Sequence, residues 1–138
     1  MKSASKLMRS TILAVFALVC SPIVTNAILV APHAVFIDHR QRTGQLTLAN
    51  PGERPEEIEI DFMFGYPTTD SLGDPYVELI EDPGPEQPSA AAWMQAFPRR
   101  LRLEPGERQV VRLLASPPAN LADGEYWSRV IVTSRQTR

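Results

Sequence analysis

Few side chains in this sequence could catalyse a reaction or bind a metal ion. The 138 residues include two histidines, His33 and His39, and a single cysteine, Cys20. Asp38 precedes His39, but adjacent residues of a strand point to opposite faces of a sheet, so this pair does not converge on one site. The motifs of a nucleophile elbow, a zinc-protease helix and a phosphate-binding loop do not occur in the sequence. We therefore expect a protein that is not an enzyme and that uses no cofactor.

Two clusters of like charge are further candidates for a binding site. The first is an acidic row at alternate positions: Glu57, Glu59 and Asp61. Same-face neighbours of a strand lie about 6–7 Å apart, which is too wide for one cation to be held without other ligands. The second cluster is basic: Arg99, Arg100 and Arg102. Because the chain has 14 basic and 16 acidic residues, this cluster indicates charge balancing rather than a nucleic-acid site.

Residues 1–27 have the pattern of a signal peptide. Three basic residues come first: Lys2, Lys6 and Arg9. An apolar run follows at residues 12–19, and the small residues Thr25 and Ala27 suit cleavage after Ala27. The run is shorter than the roughly 20 apolar residues of a membrane-spanning helix, which disfavours a permanent anchor. We therefore expect contact with a membrane only during export.

Cys20 raises a second interpretation, in which the chain is processed as a lipoprotein. Val19 is larger than the Gly, Ala or Ser that precedes the cysteine of such a signal, so cleavage after Ala27 is favoured. Cleavage leaves residues 28–138, which is 111 of the 138 residues, without a cysteine. It also removes three of the 14 basic residues and none of the 16 acidic ones, so the mature domain carries a net charge of −5. Such a domain depends on its core rather than on disulfides.

The mature chain alternates short apolar segments with turn residues, which predicts an all-β fold. The clearest segment is residues 56–65, in which apolar and charged residues alternate strictly. Its predicted core-facing residues are Ile58, Ile60, Phe62 and Phe64. Further strands are expected at residues 29–38, 45–50, 99–103, 108–115 and 125–133. About six to seven strands without a long helix indicate an immunoglobulin-like β-sandwich.

Proline and glycine mark the connections between these strands. Pro-Gly turns are expected at residues 50–53 and 104–107, and the second predicts a hairpin between 99–103 and 108–115. Residues 66–98 contain six prolines and form a long excursion between sheets. A loop of that length is usually functional or ordered by its own packing. The sequence leaves open whether the excursion covers a sheet edge or contacts a partner.

The second half of the chain resembles a known family. Residues 103–113 (LEPGERQVVRL) and 121–127 (LADGEYW) are similar to the N-terminal domain of periplasmic pilus-assembly chaperones of the chaperone–usher pathway. Residues 31–36 (APHAVF) and 46–50 (LTLAN) resemble its first two strands. The resemblance implies a periplasmic immunoglobulin-like domain that binds pilus or fimbrial subunits by β-strand addition and assists their folding and assembly. It implies an outer-membrane usher as a further partner, and no cofactor, nucleic acid or small-molecule substrate.

The resemblance also implies roles for individual residues. Arg112 and Glu125 match the family's residues that form an internal salt bridge. His33 falls at the position of the arginine that anchors the terminal carboxylate of a subunit. Histidine carries only part of a positive charge at pH 7, so this departure weakens the expected anchor.

The sequence ends before the family's donor strand and second domain, so the last strand of the domain is expected to be missing. The chain is then either truncated or a single-domain relative. In the second case the strand at 125–133 is an open edge that invites a partner strand. Its expected contacts are apolar: Trp127, Val130, Ile131 and Val132. Two alternatives to a chaperone stay open: a stand-alone immunoglobulin-like structural or adhesive module that pairs with another β protein, and a truncated chaperone without activity.

Overall fold

Alternating sequence patterns become strands along most of the chain. The structure is a computed structural model that describes residues 27–137. Its eight strands are β1 (Leu29–Ala31), β2 (Thr43–Ala49), β3 (Glu56–Thr69), β4 (Pro75–Ile80), β5 (Met94–Phe97), β6 (Arg100–Leu103), β7 (Arg108–Ala115) and β8 (Arg129–Gln136). One 3-10 turn, Ala91–Trp93, precedes β5. The predicted signal peptide at 1–27 lies, except for Ala27, outside the described residues, and so does Cys20.

The strands form two antiparallel sheets. The first sheet has the order β1-β2-β7-β5. In the second, β3 is central and pairs with β4, β6 and β8. These sheets confirm the predicted immunoglobulin-like β-sandwich, with eight strands in the described range instead of six or seven. Within that range, no helix has the length and apolar character needed to cross a membrane.

The core lies between the sheets and contains the inward-facing residues of both. Its buried members are Leu46, Leu48, Ile58, Ile60, Ala96, Leu103, Val111 and Leu113. The alternation predicted for residues 56–65 is confirmed, because Ile58, Ile60 and Phe64 are buried and Phe62 packs against the core. Because these side chains point into the core, the acidic row at the alternate positions of β3 points outward.

The predicted hairpin between residues 99–103 and 108–115 is wrong. β6 pairs with β3 in one sheet, whereas β7 lies between β2 and β5 in the other. The turn itself forms, since Glu107 N donates to Glu104 O at 3.0 Å and Gly106 has a φ of 76°. The chain crosses between the sheets at this turn, because turn residues direct a chain reversal but do not select the strand that pairs next.

Asn50 joins this crossing to an earlier one, where the chain passes from β2 to β3. Asn50 is only 2% exposed. Its Nδ2 donates to Arg54 O at 2.7 Å and to Leu103 O at 3.1 Å. Its Oδ1 accepts a hydrogen bond from Gly52 N at 3.0 Å, and its backbone O accepts one from Gly106 N at 2.8 Å. The two crossings are therefore held together at one end of the sandwich.

The strand predicted at residues 29–38 ends at Ala31. Pro32 follows and has no N–H to donate to a ladder. Val35 and Ile37 then pack across Gly44, where an added β-carbon would lie 2.4 Å from Val35 Cγ1. The chain between β1 and β2 therefore covers the sheet instead of extending β1.

The last strand spans residues 129–136 instead of the predicted 125–133, so it begins four residues later than predicted. The backbone of Trp127 is bonded to residues near the end of the Pro-rich excursion. Trp127 N donates to Pro88 O at 2.7 Å, and Ala90 N donates to Trp127 O at 2.8 Å. This local parallel bridge prevents Trp127 from joining the ladder to β3.

Replacing Ile60 with Ala tests the assignment of the core. Ile60 is 0% exposed on the central strand, so Ile60→Ala should lower the free energy of unfolding by about 2–5 kcal/mol. The control Val110→Ala removes atoms from a side chain that is 50% exposed, and should change it by no more than about 0.5 kcal/mol. Urea denaturation followed by tryptophan fluorescence measures both. Equal losses in the two variants would contradict this core.

Candidate functional site

β8 has one paired edge and one free edge. It pairs with β3 over eight residues, from Arg129 opposite Met63 to Gln136 opposite Glu56. Among residues 27–137 no other strand pairs with β8. Its outer edge therefore presents backbone N–H and C=O groups to which a further strand could bond.

The hydrogen bonds around β3 show which residues of β8 present these groups. Thr137 N donates to Pro55 O at 3.1 Å, so the backbone of Thr137 points toward β3. Backbone direction alternates along an antiparallel strand. The residues of β8 whose backbone points away from β3 are therefore Val130, Val132, Ser134 and Gln136. On the other side of β3, Ile60 N donates to Arg99 O at 2.9 Å, which fits the same alternation.

The four apolar contacts predicted for a partner strand divide between different places. Val130 and Val132 lie on the inner face and pack against the core. Ile131 lies on the outer face, opposite Asp61. Trp127 is 52% exposed and precedes β8, in the bridge to Ser89. The inner-face side chains of a strand added to the free edge would therefore lie next to Val130 and Val132.

The outer face of the second sheet carries rows of opposite charge. Arg99 forms an ion pair with Asp61, and Arg100 Nη2 lies 2.6 Å from Glu59 Oε1. The hydrogen bonds that Arg100 donates to the Glu59 carboxylate raise the pKa of Arg100 above its usual value. Two arginines of the basic cluster therefore balance charge on the acidic row.

A shallow groove of about 520 Å³ lies over the same face, across β6, β3 and β8. Glu57 is central in it, with Arg102 of β6 directly opposite on one side and Arg135 of β8 on the other. Arg102 Nε lies 2.9 Å from Glu104 Oε1, and Arg135 forms no ion pair within 4.0 Å in the described part of the chain. β8 therefore adds a cationic side chain close to its free edge.

Arg129 marks the other end of β8. Its Nε donates to Gly65 O at 3.0 Å, and its side chain is half-buried. This bond satisfies a carbonyl of β3 beyond the last residue pair of the ladder. It also holds the guanidinium at the end of the strand.

The structure does not bring Arg112 and Glu125 together. Arg112 is exposed on β7, opposite Gln45 of β2 and Phe97 of β5. Glu125 is exposed in the connection before β8. The ion pairs within 4.0 Å in the described range are those of Arg99, Arg100 and Arg102, given above. Arg112 faces outward because its neighbours on β7 fill the core, so it does not form the internal salt bridge that the sequence suggested.

His33 is exposed in the segment between β1 and β2. Asp38, in the same segment, accepts hydrogen bonds from Gln41 N at 2.7 Å and Arg40 N at 2.8 Å, and these hold the pKa of its carboxyl below its usual value. Asp38 thus stabilises a turn rather than orienting His39. Within residues 27–137, no cluster of three or more His, Cys, Asp or Glu side chains could hold a metal ion.

The Pro-rich excursion is more ordered than predicted, and most of its apolar exposure was missed. β3 runs to Thr69 and pairs with β4 in a hairpin whose turn contains Gly73, at a φ of 88°. The large apolar residues that this hairpin exposes are Tyr66, Leu72, Tyr76, Val77 and Leu79. Five of the six residues of β4 are exposed, so neither face of this strand is covered by the core.

Amide hydrogen exchange tests the free edge directly. The N–H groups of Val130, Val132, Ser134 and Gln136 should exchange at least about tenfold faster than those of Ile131, Thr133 and Arg135, which bond to β3. Exchange followed by NMR on the purified chain resolves each amide. Uniform protection along β8 would mean that its outer edge is already paired.

Comparison with known proteins gives matches in structure only. No protein-family model matches the chain, and no curated protein matches its sequence. Among solved structures, the periplasmic chaperone SfaE matches with a TM-score of 0.56 and 12% identity, over 80% of this chain and 49% of that one. The CsuC–CsuE chaperone–tip adhesion subunit pre-assembly complex, from archaic chaperone–usher Csu pili of Acinetobacter baumannii, matches with a TM-score of 0.53 and 20% identity, over 80% of this chain and 47% of that one.

The chain therefore spans about half the length of the chains it matches. Identities this low show the fold alone. The structural matches and the two antiparallel sheets assign residues 27–137 to the immunoglobulin-like β-sandwich fold found in periplasmic chaperones of chaperone–usher pili.

Proposed function

We propose that this chain is a periplasmic chaperone-like protein that binds pilus or fimbrial subunits by β-strand addition at the outer edge of β8. The observation that carries the proposal is the free edge itself. Four residues present their N–H and C=O groups away from β3, and two of them are the core-facing valines Val130 and Val132. An added strand would gain backbone hydrogen bonds and bury apolar side chains at the same time.

The energetics suit reversible binding without a cofactor. Each backbone hydrogen bond contributes a net of about 0.5–1.5 kcal/mol, and the burial of apolar surface adds to it. A subunit that lacks a strand exposes a hydrophobic surface, which the same pairing would cover. Location in the periplasm is supported by the signal-peptide pattern at residues 1–27 and by the fold shared with periplasmic chaperones.

His33 is included in the proposal as a contact for the terminal carboxylate of a subunit. Its exposed position between β1 and β2 leaves it accessible to a ligand. An outer-membrane usher is included as a second partner on the resemblance alone.

Proline at position 134 blocks the edge selectively. The N–H of Ser134 points away from β3, so Ser134→Pro removes an outward donor without breaking the ladder to β3. The matched control Ser134→Ala retains the amide. Both variants should melt within a few degrees of the parent chain, because the side chain of Ser134 is exposed.

Capture from the periplasm then tests the function. The tagged parent chain and Ser134→Ala should each co-purify with a secreted β subunit that lacks one strand of its own sandwich, identified by mass spectrometry. Ser134→Pro should recover at least about tenfold less of that subunit. Elution of the parent chain alone would favour a stand-alone immunoglobulin-like module, and undiminished capture by Ser134→Pro would place binding elsewhere on the surface.

A further inference from the structure

Charge alternates by strand across the outer face of the second sheet. β6 contributes arginines, β3 contributes the acidic row, and β8 again contributes arginines. Glu57 lies opposite Arg102 on one side and Arg135 on the other, and Glu59 lies opposite Arg100 on one side and Thr133 on the other. Opposite charges on directly facing residues of neighbouring strands stabilise a sheet, and like charges destabilise it. The next strand outward from β8 therefore meets a cationic neighbour.

The two faces of β8 differ in chemistry, so they favour different side chains on that strand. Arg129 and Arg135 lie six residues apart on the outer face. Val130 and Val132 lie on the inner face, packed against the core and half-buried. Residues that pair with these valines would extend the apolar core, whereas residues that pair with the arginines would face solvent beside a positive charge.

We propose that the strand bound by β8 is an amphipathic segment of another polypeptide, with acidic residues opposite Arg129 and Arg135 and apolar residues opposite Val130 and Val132. This inference rests on the strand-binding function proposed above and specifies the chemistry of its partner. The acidic positions are six residues apart, and the apolar positions lie between them.

A second copy of this chain fits the edge poorly. If two β8 strands paired antiparallel about Val132, Arg129 of each copy would face Arg135 of the other. That arrangement places two like-charged pairs on adjacent strands, which destabilises pairing. In that register the same two arginines disfavour self-association and favour an acidic strand.

A tethered strand provides the test at high effective concentration. The full chain is extended at its C-terminus by a Gly/Ser linker of about ten residues and the segment Asp-Val-Thr-Val-Thr-Val-Asp. The segment reads the same in both directions, so its pattern matches β8 in either orientation. The matched control replaces both aspartates with lysines. Amide exchange of Val130, Val132, Ser134 and Gln136 reports pairing at the outer edge.

We expect the acidic extension to protect these four amides at least about tenfold more than the lysine extension does. The difference should shrink in Arg135→Ala and at 1 M salt, where exposed charges are screened. Equal protection by the two extensions would overturn the charge preference while leaving strand addition intact. Protection by neither extension would overturn both proposals.

The chain without an extension provides the remaining control. It should sediment as a monomer, with these four amides exchanging rapidly. A dimer whose four amides are protected, and which Ser134→Pro dissociates, would show that a second copy occupies the edge and that the proposed partner is wrong.

Discussion

The two-residue period of β3 determines both the core and the edges of this domain. Side chains at even positions, such as Ile60, point into the core, and the N–H of Ile60 bonds toward β6. Side chains at odd positions, such as Glu59, point outward, and the backbone at these positions bonds toward β8. A register slip of one residue would bury the acidic row and expose the isoleucines, which locks the pairing of both neighbouring strands. The free edge of β8 inherits its pattern from this register.

The second constraint acts where the chain passes between the sheets. A sandwich needs such crossings, and each leaves backbone groups that no ladder satisfies. Asn50 resolves this at one end, because its buried amide bonds to Leu103 O while its backbone bonds to the turn that contains Gly106. The strands that flank the two crossings, β2, β3, β6 and β7, carry most of the core residues. The turns therefore fix how the two layers stack, and not only where the chain reverses.

Local patterns in the sequence predicted the strands better than their partners. The alternation at 56–65 and the strand at 108–115 were predicted correctly because each depends on its own residues. The hairpin between 99–103 and 108–115 was wrong, since its turn is compatible with pairing in either sheet. The predicted start of the last strand was too early because Trp127 is of a residue type that is common in strands. Its backbone instead bonds to Pro88 and Ala90. Apolar content pointed to Val130 and Val132 as partner contacts, but their position on the inner face depends on a register set by β3. The salt bridge between Arg112 and Glu125 was expected only from the resemblance to a family. Both side chains are exposed in this structure, and they lie on different segments that do not bring them together.

The lengths of the exposed edges favour β8 as the edge for the strand addition proposed above. Proteins protect sheet edges by keeping edge strands short or by placing charges and proline on them. In the described range β1 has three residues, and β5 and β6 have four each. β4 has six and begins with Pro75, whereas β8 has eight and contains no proline. The charged residues of β8 are Arg129 and Arg135, which lie near its ends on the outer face. They leave its apolar inner face open to a further strand. Charges placed in this way would repel a second cationic edge and attract an acidic one, which is the selectivity proposed for this edge.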